Sequence, residues 1–163
     1  MARVDFDQIS SQARLWIFAA ERSLSEGERV RIVEEVDAFL EQWVAHDVPL
    51  TSASELRYKQ FIFVAVDERD AGASGCSVDA LVRRMKTLQA ELGVELLNHS
   101  PVLYREGAGI SRVSRECFSD LVGAGKVNHD TVVFDNTVST VGSVRQGRWE
   151  LPAIESWHGA AFF

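Results

Sequence analysis

The sequence is poor in proline, cysteine and positive charge, and it has no long apolar run. Three prolines in 163 residues, with no low-complexity stretch, exclude a disordered or fibrous chain. The two cysteines, Cys76 and Cys117, lie far apart and match no zinc or dithiol spacing. His46, His99, His129 and His158 are scattered without an i, i+4 pair, so neither a metal nor another cofactor is expected. No apolar run approaches the ~18 residues of a membrane span. Seventeen Lys and Arg face 24 Asp and Glu, a net charge of −7, which argues against a nucleic-acid partner because such proteins carry a basic face.

What is present is the profile of a folded domain, with 46% hydrophobic and 25% charged residues. A chain of this length buries a core without disulfides or metals. The acidity is local: residues 1–47 hold ten acids against five bases, and the remainder is close to neutral. The first apolar stretch, Leu15 to Ala20, follows a polar arm over 1–13 and does not read as a secretory signal, so a cytoplasmic location with free thiols is expected.

Hydrophobic spacing supplies the elements. The run 14–20 reads as a buried strand. Ser25 and Glu28 form a capping box for a helix whose apolar stripe is Val30, Val33, Val36, Leu40, Trp43 and Val44, widened by Ile32 and Phe39. Asp47-Val48-Pro49 ends it near Ala45. Strands follow over 50–58 and 61–66, joined at Lys59-Gln60. Ser77 can then cap a second helix carrying Leu81, Met85 and Leu88, with Gly93 as its stop. Pro101 to Tyr104 reads as a short edge strand.

The order β-α-β-β-α-β predicts an α+β, ferredoxin-like core over 14–105, a sheet with two helices on one face. Residues 106–163 form a C-terminal extension packed on that core: a short helix near 115–122, a strand at 131–134 and an aromatic tail. Trp149, Trp157, Phe162 and Phe163 either close the open sheet face or form a homodimer interface.

Two features invite a function. Phe61 to Asp67-Glu68 has the form of a Walker B strand, and Gly123-Ala-Gly-Lys126 resembles a phosphate loop. A P-loop needs a glycine, four intervening residues, then Gly-Lys and a hydroxyl. Here those places hold Asp120 and Val127, so an ATPase is rejected.

The second feature is the small-residue loop Asp70-Ala-Gly-Ala-Ser-Gly-Cys-Ser77, which enters a helix N-terminus where free N–H groups favour an anion. Cys76 sits where the helix dipole favours a thiolate. His46 could serve as its base and Asp67 could orient the imidazole. Ser74, Gly75, Ser77 and Asp79 are the candidate ligand contacts.

Three blocks carry a family resemblance: Gln42-Trp43-x-Ala45-His46, Asp67-Glu68-x-x-Ala71-Gly72-Ala73-Ser74-Gly75-Cys76-Ser77-x-Asp79, and Val133-Phe134-Asp135-Asn136. Together with the tail Trp149-Glu150-x-Pro152-x-x-x-Ser156-Trp157-His158, they resemble a family of small bacterial proteins that carry the label ABC transporter ATPase. That resemblance implies a grouping and no defined activity. Residues 102–135 are similar to GYF-type adaptor domains, which bind proline-rich peptides, but their Gly-Pro-Tyr-Phe core is absent. The sequence therefore predicts a non-catalytic binding or interaction module, homodimeric, for a small anionic ligand or a protein partner. The alternative is a thiol-dependent enzyme or redox sensor using Cys76, His46 and Asp67.

Overall fold

The computed structural model describes residues 3–69 and 71–163 and has an α+β architecture. The elements run β1 (Arg14–Ala19), α1 (Glu26–Glu41), β2 (Val44–Ala45), β3 (Val48–Pro49), β4 (Thr51–Arg57), β5 (Phe61–Asp67) and α2 (Gly75–Leu92). They continue with β6 (Val102–Glu106), β7 (Gly109–Val113), α3 (Arg115–Gly123), β8 (Val132–Phe134), α4 (Val141–Arg145), β9 (Glu150–Pro152) and α5 (Trp157–Phe162). Two compact units result, one comprising residues 1–97 with 139–142, the other 98–138 with 143–163.

The first unit holds a three-stranded antiparallel sheet in the order β1-β5-β4. Every residue of β5 is buried, as its unbroken apolar run requires. Ile62, Val64 and Val66 share a cluster with Ile32, Val36 and Leu40 of α1 and with Leu81, Met85 and Leu88 of α2. A fully buried side chain of this size contributes roughly 1.5–3 kcal/mol, so this cluster dominates the unit's stability. The Ser25 capping box is formed: the Glu28 N–H donates to Ser25 Oγ at 3.2 Å and the Ser25 N–H to Glu28 Oε1 at 2.8 Å. The Arg22 guanidinium beside Glu28 and the Ser25 N–H lower its carboxyl pKa to about 2.

Several boundaries differ from expectation. The inward stripe of α1 centres on Ile32, Val36 and Leu40, leaving Val30 and Val33 at 50% and 42% exposure. At 100° per residue Val30 lies about 160° round the helix from Ile32, so both cannot face the core. The helix stops at Glu41, and residues 44–49 form a tight hairpin instead of a last turn. Tyr58 and Lys59, both left-handed, make the β4–β5 turn. The cap of α2 is Ser74, not Ser77, while Gly93 does end the helix with φ 65°.

Strands β1, β4 and β5 have the order of a split β-α-β, but Val102–Glu106 does not join them as a fourth. The place beside β1 is taken by residues 139–141. There the Leu15 N–H donates to Ser139 O at 2.9 Å, Arg14 bridges Thr140, and the Val141 N–H donates to Ala13 O at 3.0 Å. Gly142 approaches so closely that a Cβ would lie 2.8 Å from Ser11 O. After α2, Val94 and Leu96 bury in the same core.

In the second unit, β6 is not an edge strand but the inner partner of β7 and β8, in the order β7-β6-β8-β9. Phe118 of α3 packs on Tyr104 at 5.5 Å and on Phe162 of α5 at 5.0 Å between ring centroids. Trp149 packs on Phe134 at 5.0 Å, and its indole N–H donates to Asn136 Oδ1 at 2.8 Å. The aromatic tail therefore packs on side chains of its own unit. His158 is buried there beside Trp157, with Nδ1 2.7 Å from Ser156 Oγ, and burial lowers its pKa to about 4. Among the described residues no helix is long and apolar enough to cross a membrane.

Candidate functional site

Within the first unit, the end of α1, the β2–β3 hairpin and the start of α2 enclose an open cleft of about 1090 Å³. Ala38, Phe39 and Gln42 come from the last turn of α1 and its cap. Trp43, Val44, His46 and Asp47 come from the chain that follows, and Ser74–Ser77, Ala80 and Arg84 from α2 and its cap.

Trp43 holds these pieces together. It is buried, and its indole N–H donates to Ser77 O at 2.9 Å, tying the chain after α1 to the first turn of α2. Its ring meets Trp16 edge-on at 5.8 Å and Phe39 at 5.4 Å. A buried hydrogen bond inside an aromatic cluster fixes this corner, because the indole N–H has nowhere else to donate.

The hairpin turns through His46 and Asp47, both left-handed at φ 51° and 65°. Such a two-residue turn matches the twist of its strands but normally uses Asn-Gly. The Leu50 N–H donates to Trp43 O at 3.0 Å and closes the hairpin base.

On the α2 side, Ser74 Oγ accepts the Ser77 N–H at 3.1 Å, while Ser77 Oγ donates to Ser74 O at 2.8 Å. The N–H groups of Gly75 and Cys76 keep no acceptor among the described residues. Cys76 is exposed on this rim, and so is His46. Arg84 lies over the Phe39 ring at 5.8 Å and pairs with Glu35. Glu35 also accepts from Arg31 at 2.6 Å, and the two guanidiniums, Arg31 foremost, hold its carboxyl below the usual range.

The structure thus places Cys76, His46, Ser74, Gly75 and Ser77 around one cleft, but not Asp67 or Asp79. Asp67 is engaged by its neighbour: Arg69 Nε donates at 2.9 and 3.0 Å, its Nη2 at 2.5 Å and its backbone N–H at 3.1 Å. These contacts, the side-chain one first, lower the Asp67 pKa. Among the described residues no hydrogen bond joins His46 to Cys76 or to Asp67.

Glu68 is also occupied locally, since its Oε2 accepts the Ala73 N–H at 2.9 Å. A Cβ on Gly72 would lie 3.2 Å from that oxygen, so part of the small-residue loop accommodates Glu68. Asp70 lies outside the described residues.

The Gly123–Lys126 segment closes the end of α3. The Gly125 N–H donates to Val122 O at 3.0 Å and the Lys126 N–H to Leu121 O at 2.9 Å, so neither is available to a phosphate. Cys117 is exposed on α3 in the other unit, its N–H donating to Ser114 Oγ at 3.0 Å. Among the described residues no group of three or more His, Cys, Asp or Glu could hold a metal ion.

Sequence reasoning missed Phe39, Val44, Asp47 and Arg84 as cleft residues and placed Trp43 in the core alone. The usable signal was the pair Trp43 and Pro49 flanking His46-Asp47, which marks a turn rather than a helix end. No protein-family model, curated protein or solved structure matches the chain.

Proposed function

We propose that the protein is a binding module that takes a small organic ligand with an apolar body and an anionic group into the Trp43–Cys76 cleft. The observation that carries this reading is the cleft itself. It joins an apolar floor of Phe39, Trp43 and Val44 to a polar rim at Ser74–Ser77. A pocket with a few convergent polar groups over aromatic side chains suits a small molecule better than a nucleic acid or an extended peptide. The Gly75 and Cys76 N–H groups favour the anionic end, and Arg84, already paired with Glu35, lends packing more than charge. Nucleotide hydrolysis forms no part of the proposal.

The test is an amide-shift titration of the ¹⁵N-labelled chain with 3-phenylpropionate as probe. Saturable shifts at residues 74–77 and at the Trp43 indole N–H are expected. No shift there with this probe or with L-phenylalanine, up to millimolar concentration, overturns the proposal.

A second reading, thiol chemistry at Cys76, is favoured by one observation: His46 lines the same cleft. It predicts that His46→Ala displaces the pH profile of Cys76 alkylation. An unchanged profile removes His46 as its base.

A further inference from the structure

We infer that the His46–Asp47 hairpin tip is a recognition element of this cleft and that Asp47 is the counter-charge for a protonated amine on the ligand. The inference rests on the cleft reading above and narrows the ligand to an apolar molecule bearing an ammonium as well as a carboxylate.

Besides the His46 imidazole, two charged side chains line the cleft, Arg84 and Asp47. Arg84 is neutralised by Glu35, and Glu35 shares Arg31 with Glu91, so that network of two guanidiniums and two carboxylates is balanced. The Asp47 carboxylate has no ion pair or hydrogen bond among the described residues. It is therefore the uncompensated full charge of the cleft. A purely anionic ligand would meet it unfavourably, whereas an ammonium would neutralise it as the molecule displaces water.

Both turn residues sit at positive φ, where Asn-Gly would be relaxed. Backbone held in a sparsely populated region costs free energy; the Tyr58–Lys59 turn shares this geometry, so what distinguishes His46–Asp47 is its place at the cleft. Both residues that incur the cost line the cleft, are exposed, and make no hydrogen bond or ion pair through their side chains among the described residues.

The experiment uses the full chain and three probes sharing one aromatic body: L-phenylalanine, phenethylamine and 3-phenylpropionate. Affinities come from ¹⁵N amide and Trp43 indole shifts, for the wild type, Asp47→Asn and Asp79→Asn. Asparagine tolerates the left-handed region, so Asp47→Asn keeps the hairpin. Asp79 does not line the cleft and controls for long-range charge.

The expected result is tightest binding of L-phenylalanine. Asp47→Asn should weaken L-phenylalanine and phenethylamine by roughly five-fold or more, as loss of a partly desolvated charge contact implies. It should leave 3-phenylpropionate no weaker, and Asp79→Asn should match the wild type. If Asp47→Asn leaves the amines unchanged, or Asp79→Asn weakens them equally, the inference falls while the cleft reading stands. If no probe shifts the cleft signals, both fall.

Discussion

Replacing Trp43 with phenylalanine tests how the cleft is built. The change removes the indole N–H that donates to Ser77 O at 2.9 Å and trims a ring packed against Trp16 and Phe39. A buried hydrogen bond contributes about 1 kcal/mol net. The lost ring volume adds about 1–2 kcal/mol, below the full cost of a Trp→Ala truncation. The expected loss is therefore about 2–3 kcal/mol. With a denaturant slope of roughly 2 kcal/mol per molar urea, the midpoint should fall by about 1–1.5 M.

Urea unfolding followed by circular dichroism at 222 nm reads this directly. Amide exchange adds a local signature: protection over Ser77–Leu81 should drop more than at the far end of α2, because the tether acts on the first turn. Val33→Ala is the control. Val33 is 42% exposed, so its effect should stay within about 0.5 kcal/mol. If Trp43→Phe moves the midpoint no further than Val33→Ala, Trp43 does not fasten α2 and the account of the cleft's rigidity is wrong.

Two predictions concern other parts of the chain. Gly142→Ala places a Cβ 2.8 Å from the Ser11 carbonyl oxygen and should cost roughly 1–3 kcal/mol, measured by thermal unfolding; a neutral effect would contradict the packing of residues 139–142 beside β1. His158 titrates near 4 in the fold against an ordinary 6.5, so the unfolded chain binds the extra proton between those values. The associated stability is complete above pH 6.5 and is lost as pH falls toward 4, by up to about 3 kcal/mol. An NMR titration of its ring protons with a midpoint near 6.5 would refute this.

Much of the first unit was legible because its signals are local. The Ser25–Glu28 box, the unbroken apolar run of β5 and Gly93 at the end of α2 each act within a few residues, and the structure uses all three as expected. Other features depend on distant partners. Whether Ile32 or Val30 faces inward is decided by what the sheet presents, and both stripes were present in the sequence. Nothing near Val102 shows that residues 139–141 already occupy the edge of β1.

The β6–β7 hairpin was signalled by Gly107 at φ 60°, but the weakly apolar Gly109–Val113 concealed its second strand. For the site, the small-residue loop leading into α2 marked the helix start, so Ser74–Ser77 could be anticipated although the cap is Ser74 and not Ser77. His46 was expected at the end of the first helix, but α1 stops at Glu41 and both His46 and its neighbour Asp47 reach the cleft through the β2–β3 hairpin turn. Asp67 does not line the cleft, and Arg69, two residues on, engages its carboxylate.

Whether a ligand occupies the cleft can be read at the two cysteines, which provide an internal comparison. Cys76 lines the cleft and Cys117 lies in the other unit, and both are exposed. The decisive measurement is the rate of iodoacetamide alkylation at each thiol, resolved by peptide mass spectrometry, with and without L-phenylalanine. Slower modification of Cys76 alone is the predicted result. Equal rates with and without the amino acid at Cys76, or equal slowing at both thiols, would contradict it.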